Sequence, residues 1–99
     1  MNQPQPQPRI NLEYRPDYRE GYANSVQLRA NLWDFFLMFG TLDQKSPELV
    51  TIHNFQGIYL SPQQAKALWN VLGQNITHYE STFGEIKLDP HAAGQMSVQ

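Results

Sequence analysis

No cysteine occurs in the 99 residues, so neither a disulfide nor a thiolate zinc site can brace this chain. No apolar run approaches the ~20 residues of a membrane-spanning helix. The opening residues have neither the basic start nor the hydrophobic run of a secretory signal, and a cytoplasmic protein without membrane attachment is therefore expected. Positive charge is sparse. The net charge is −2, and Arg9, Arg15, Arg19, Arg29, Lys45, Lys66 and Lys87 are scattered among acids. Phosphate backbones require clustered cations, so nucleic acid is not an expected partner.

What remains is a short, aromatic-rich domain between two polar edges. The opening "MNQPQPQP" alternates Pro with Gln or Asn without apolar periodicity, and residues 1–20 read as a flexible Pro/Gln-rich arm. After Leu88, "DPHAAGQMSVQ" is poor in anchors and Pro90 bars a helix, so 89–99 reads as a disordered tail. Residues 21–88 then form a single domain of roughly 70 residues, a size at which one hydrophobic core rarely supplies more than ~3–5 kcal/mol. With cysteine absent, oligomerisation is the remaining common source of stability.

Within 21–88 the pattern is strand, strand, strand, helix. Val26, Leu28 and Ala30 alternate with Gln27 and Arg29, the spacing of a strand with one wet face. "NLWD" interrupts, and "FFLMF" (35–39) follows as a run bulky enough to need cover on both faces. "TLDQKSPE" (41–48) supplies turn residues, with Pro47 closing the loop. "LVTIHNFQGIYL" (49–60) is extended again, with Val50, Ile52, Ile58 and Leu60 on one parity and Leu49, Phe55 and Tyr59 on the other. Gly57 inside it signals a bulge or a close approach.

"YLSPQQAKALW" (59–69) marks where the last strand becomes a helix. Ser61 is a favoured N-cap, Pro62 suits the first helical position, and Gln64 completes an S-x-x-Q capping box. Ala65, Leu68, Trp69, Leu72, Ile76, Tyr79 and Phe83 recur at steps of three and four, and Gly84 is placed to stop the helix. The expected fold is α+β: a three-stranded antiparallel β-meander and one long amphipathic C-terminal helix, completed by homo-oligomerisation. One helix can shield only part of one sheet face.

Reactive constellations are lacking. His53, His78 and His91, with Glu80 or Asp89, have no recognised metal-ligand spacing, and helix positions two apart such as His78 and Glu80 do not face each other. Asp34 lies among large apolar groups, where a raised pKa would suit acid catalysis. No second acid or base is near it in sequence, and a turn carboxylate accepting backbone N–H groups is the plainer role. No enzyme, metal or cofactor is expected; the competing reading is a small enzyme or metal-dependent protein using Asp34 with His53 or His78. Gly73, in mid-helix, costs about 1 kcal/mol relative to alanine and reads either as a close approach of another helix or sheet backbone or as a merely tolerated glycine. Trp33, Phe36, Met38, Trp69 and Tyr79 are the candidate interface anchors.

Five short motifs, "YAN" (22–24), "WDF" (33–35), "FG" (39–40), "LSPQQAKAL" (60–68) and "YESTFGEI" (79–86), occur in order. Together they resemble a family of short bacterial and archaeal proteins, the domain of unknown function 3467. That resemblance implies a small stand-alone protein and carries no catalytic residues; "TIHNFQGIYL" departs from its plainer aliphatic alternation. The expected function is a non-enzymatic, homo-oligomeric interaction module, a dimer or dimer of dimers, that binds hydrophobic or extended peptide segments. The alternative is a chaperone or adaptor like the export chaperone SecB, by analogy of element order.

Overall fold

The computed structural model describes residues 7–88. Residues 1–6 of the arm, and the whole of 89–99 with Asp89 and His91, lie outside the described residues. Residues 7–22 are exposed and carry neither helix nor strand. They include a turn in which Tyr18 N donates to Arg15 O at 2.9 Å, with Pro16 in the position that fixes φ for such a turn.

Three strands and a helix follow in the expected order: β1 (Ser25–Ala30), β2 (Phe35–Ser46), β3 (Leu49–Leu60) and α1 (Pro62–Phe83). The sheet order is β1-β2-β3 with both pairings antiparallel, a meander in which each strand folds back on its predecessor.

The β1–β2 turn is held by Asn31, not Asp34. The Asn31 side-chain oxygen accepts the backbone N–H groups of Trp33 (2.8 Å) and Asp34 (3.0 Å), while Asn31 N donates to Asp34 O at 3.0 Å. The turn role expected for the Asp34 carboxylate belongs to an amide three residues earlier, because an Asx turn forms from the first residue of a turn. Asn31→Ala is expected to cost about 1 kcal/mol, lowering Tm by roughly 4–8 °C. Asp34→Asn, which keeps size and polarity, should leave Tm nearly unchanged in the same thermal scan.

The second turn is shorter than its composition suggests. Residues 41–46 do not loop; apart from Lys45, where the register shifts, they pair with β3 down to Ser46↔Leu49, leaving Pro47 and Glu48 as the turn. Polar residues here are the solvated positions of a two-stranded ribbon, and polarity alone does not distinguish that from a loop. At its tip Lys45 donates to Asp43 at 2.8 Å.

The register changes in mid-sheet. Phe39 pairs with Gln56, but Gly40 pairs with Asn54, so Phe55 is the extra residue of a bulge. A bulge reverses which face each later residue occupies. Ile58 and Leu60 therefore lie on the back face with Phe35 and Leu37, while Val50 and Ile52 pass to the front with Asn54, whose amide donates to Gln27 Oε1 at 2.9 Å. The single parity read from the sequence is thus split. Gly57 is not the bulge itself: a Cβ there would lie 2.8 Å from the Phe36 ring. The ring covers the glycine and stacks on Tyr59 at 4.3 Å, with Arg29 4.8 Å from its centre.

Asn24, the last residue of "YAN", extends the ladder past β1. Its N–H donates to Gly40 O at 3.1 Å, and its side-chain oxygen accepts Leu42 N–H at 2.6 Å. That side chain satisfies an edge donor that β1 is too short to reach.

The helix leaves the sheet after one linking residue and lies chiefly against β3. Among the described residues only Ser25 and Gly40 are buried, and no hydrophobic side chain is. The Cα radius of gyration is 18.0 Å, against about 13 Å for a compact chain of 100 residues.

Candidate functional site

The sheet's back face and the helix form two walls of an open wedge. Leu28, Phe35 and Leu37 stand on the sheet wall, Leu60 and Pro62 at the apex, and Ala65, Lys66, Leu68, Trp69 and Leu72 on the helix wall, around a groove of ≈ 530 Å³. Adjacent strands bring Leu28 opposite Leu37 and Phe35 opposite Leu60. Nearly everything facing the groove is hydrocarbon.

The wedge opens because the junction is short and its geometry is set locally. Ser61 is extended (φ −62°, ψ 154°) and its hydroxyl accepts Gln64 N–H at 3.1 Å. Pro62 starts the helix where its missing N–H costs nothing. One half of the expected capping box is therefore present, and it launches the helix at an angle that the lone chain does not close.

At the far end Gly84 adopts φ 104°, which an L side chain rarely does, and its N–H reaches Glu80 O at 2.9 Å. The Glu80 carboxylate also accepts Ile86 N–H at 3.0 Å through Oε2. Glu80 therefore ties the segment after the helix to its last turn, a structural role that spacing alone did not reveal. Tyr79 and Phe83, one turn apart, pack their rings at 4.9 Å.

The expected interface residues do not share one surface. Phe36 and Met38 are on the front face, Trp69 is in the wedge, Tyr79 is further along the helix, and Trp33 projects from the β1–β2 turn. Trp33 and Trp69 are 78% and 70% exposed, far from the high average burial of tryptophan. Gly73 has nothing within 4 Å of where its Cβ would be, so no element of its own chain makes the expected close approach. Leu28, Phe35, Leu37, Leu60, Leu68 and Leu72 belong to the site and were placed by the sequence in apolar patterns, not among the interface anchors. Their signal was the odd positions of "FFLMF" facing the even positions of β1.

The alternative catalytic set is dispersed. Asp34 lies beside Arg29, Asn31, Phe36 and Tyr59 at the β1–β2 turn end of the sheet. His53 pairs with Thr41, roughly 23 Å further along β2 at ~3.3 Å per residue. His78 is roughly 24 Å up the helix from Pro62 at 1.5 Å per residue. No group of three or more His, Cys, Asp or Glu residues able to hold a metal gathers among the described residues.

The basic residues are likewise at separate places. Arg29 lies on Phe36, Lys66 borders the wedge, and Lys45 is at the ribbon tip, where its hydrogen bond holds the Asp43 carboxyl below and its own ammonium above their ordinary values. Among the described residues no helix is long and apolar enough to cross a membrane.

The family described as Protein of unknown function (DUF3467) matches residues 1–88, the arm as well as the sheet and helix. No curated protein and no solved structure matches this chain.

Proposed function

The chain belongs to the DUF3467 family, and we propose that it acts there as a non-enzymatic, homo-oligomeric protein-interaction module. The observation that carries this is the absence of any buried hydrophobic side chain among the described residues, alongside twenty-one large hydrophobic side chains that are exposed. Fixing one residue's backbone costs roughly 1–2 kcal/mol of conformational entropy. Hydrophobic burial is the main force that offsets it. An ordered chain without a core needs that burial from outside itself.

A second copy supplies it at the stoichiometry of a dimer or a dimer of dimers. The front-face row of Arg29, Phe36 and Tyr59 lies on the surface facing away from the wedge and is the region suited to a hydrophobic or extended peptide client. The dispersal of Asp34, His53 and His78 supports a module without chemistry of its own.

Sedimentation equilibrium at micromolar concentration tests the reading. The expected result is a stable dimer or tetramer whose thermal midpoint rises with protein concentration. A cooperatively folded monomer with a concentration-independent midpoint overturns it. The chaperone-like alternative requires the assembled protein to keep an open apolar groove and to suppress aggregation of an unfolded client. A subunit with a purely structural role does neither.

A further inference from the structure

The helix carries a more specific pattern than amphipathicity. Ala65, Trp69, Leu72, Ile76, Tyr79 and Phe83 are spaced 4-3-4-3-4, the a/d repeat of a helix pair that packs side by side. None of them is buried in the chain. Apart from His78, the 22-residue helix holds just two charged residues, Lys66 and Glu80.

Those two are placed against the helix's own dipole. Cations are favoured near a C-terminus and anions near an N-terminus; here Lys66 is near the start, Glu80 is in the last turn, and the first turn has no acid and the last no base. A lone helix gains nothing from this arrangement. An antiparallel neighbour does, since it sets opposed dipoles side by side.

We propose that α1 pairs antiparallel with α1 of a second copy, with a two-fold axis near Gly73 and Gln74, so that the C-terminal half of each helix fills the wedge of the other. This deepens the homo-oligomer reading above and rests on it. In the antiparallel a-to-d layering Trp69 meets Tyr79 of the second copy, Leu72 meets Ile76, and Ala65 meets Phe83. The largest ring of the C-terminal end thus falls on the smallest residue of the stripe.

On one flank the same register sets Lys66 against Glu80 of the second copy, twice by symmetry, with Gly73 against Gly73 between them. The Glu80 carboxylate, already accepting Ile86 N–H, has acceptor capacity left for an ammonium. The open notch at Gly73, beside Trp69, lets the two backbones approach at the axis. A parallel pair would set Phe83 against Phe83 and Ala65 against Ala65, and would put Lys66 and Glu80 on flanks where neither meets the other. The groove fits the antiparallel occupant too: its helix wall is the N-terminal half of the stripe, which this register sets against Ile76, Tyr79 and Phe83 of the second copy.

The absence of cysteine from the sequence makes disulfide trapping a clean test. Ala65→Cys, Phe83→Cys and the double variant are each oxidised mildly at a concentration where the parent's sedimentation is known. Within one helix the two positions are roughly 27 Å apart, so they cannot link to each other. The expected result is a band of doubled mass, lost on reduction, from the double variant and from a 1:1 mixture of the single variants, with neither single variant linking alone.

Self-linking of Ala65→Cys means a parallel pair and overturns the proposal. A parent oligomer that yields no link in any combination also overturns it, while leaving the homo-oligomer reading standing. A monomeric parent overturns both. Should Phe83→Cys prevent assembly, Leu68→Cys with Thr82→Cys, on the opposite flank of the same register, gives the same discrimination with Phe83 in place.

Discussion

Gly40→Ala is expected to destabilise the protein more than any other single-methyl addition, by about 2–3 kcal/mol. A Cβ at Gly40 would stand 2.7 Å from the His53 carbonyl oxygen, 2.6 Å from Asn54 Oδ1 and 3.1 Å from Asn54 Cα. Two of these belong to the β3 backbone beside the Phe55 bulge and cannot swing aside. Gly40 has no positive φ, so it is there for room and not for conformational freedom. It is also one of two buried residues among those described, crossed by the Asn24 hydrogen bond and followed by the Leu42 donor that Asn24 satisfies.

Gly57→Ala provides the comparison. Its Cβ would meet only the Phe36 ring, a side chain that can turn at the cost of its stacking on Tyr59, worth about 0.5–1.5 kcal/mol. Denaturant midpoints followed by circular dichroism rank the two. Equal, small effects would mean that the bulge yields and that Gly40 is not pinned by the strand beside it.

The second large effect separates a chain that acts alone from one that assembles. Leu72 and Val71 are 52% and 56% exposed, so in an isolated chain truncating either to alanine should change little, within about 0.5 kcal/mol. In the proposed helix pair Leu72 lies in the central layers and Val71 points away from the stripe. Leu72→Ala is then expected to cost about 2 kcal/mol per copy. Counted twice in a symmetric dimer, that is a loss of about a thousandfold in dimer affinity. Val71→Ala should leave the affinity nearly unaltered. Sedimentation of both variants across a dilution series reads the difference, and matched responses would count against partner burial of the stripe.

The wedge bears on how such a module works. A helix that packed on its own sheet would have no apolar surface left for another chain. Here a single capping residue, Ser61, launches the helix outward, and Glu80 with Gly84 closes its far end. The helix is therefore capped at both ends and incomplete in its packing. That combination suits a subunit whose hydrophobic contacts lie between chains, and the proposed pairing leaves the front face, with Arg29, Phe36 and Tyr59, uncovered.

The local features were legible from residue order because each depends on neighbours in sequence. Three strands and a helix follow from alternation and from three-and-four spacing. Ser61 and Pro62 mark the helix start through the geometry of orphan N–H groups, and Gly84 marks its end through a φ that needs no Cβ. The motifs from Tyr22 to Ile86 carried the family. The chain's shortage of staples, with no cysteine to supply them, already pointed to packing beyond itself.

Only the folded chain decided what depends on residues far apart. The Phe55 bulge shifts register against Gly40, so Val50 and Ile52 leave the face that simple alternation assigned them with Ile58 and Leu60. Polar positions 41–46 belong to a strand because β3 stands beside them. Asn24 caps the ladder through Leu42, a partner on the next strand; Asn31 and Glu80 act on nearer residues, but through side-chain hydrogen bonds that alternation does not identify. The open angle between helix and sheet is likewise tertiary: periodicity shows which side of a helix is apolar, but the direction of the chain at Ser61 determines what that side can meet.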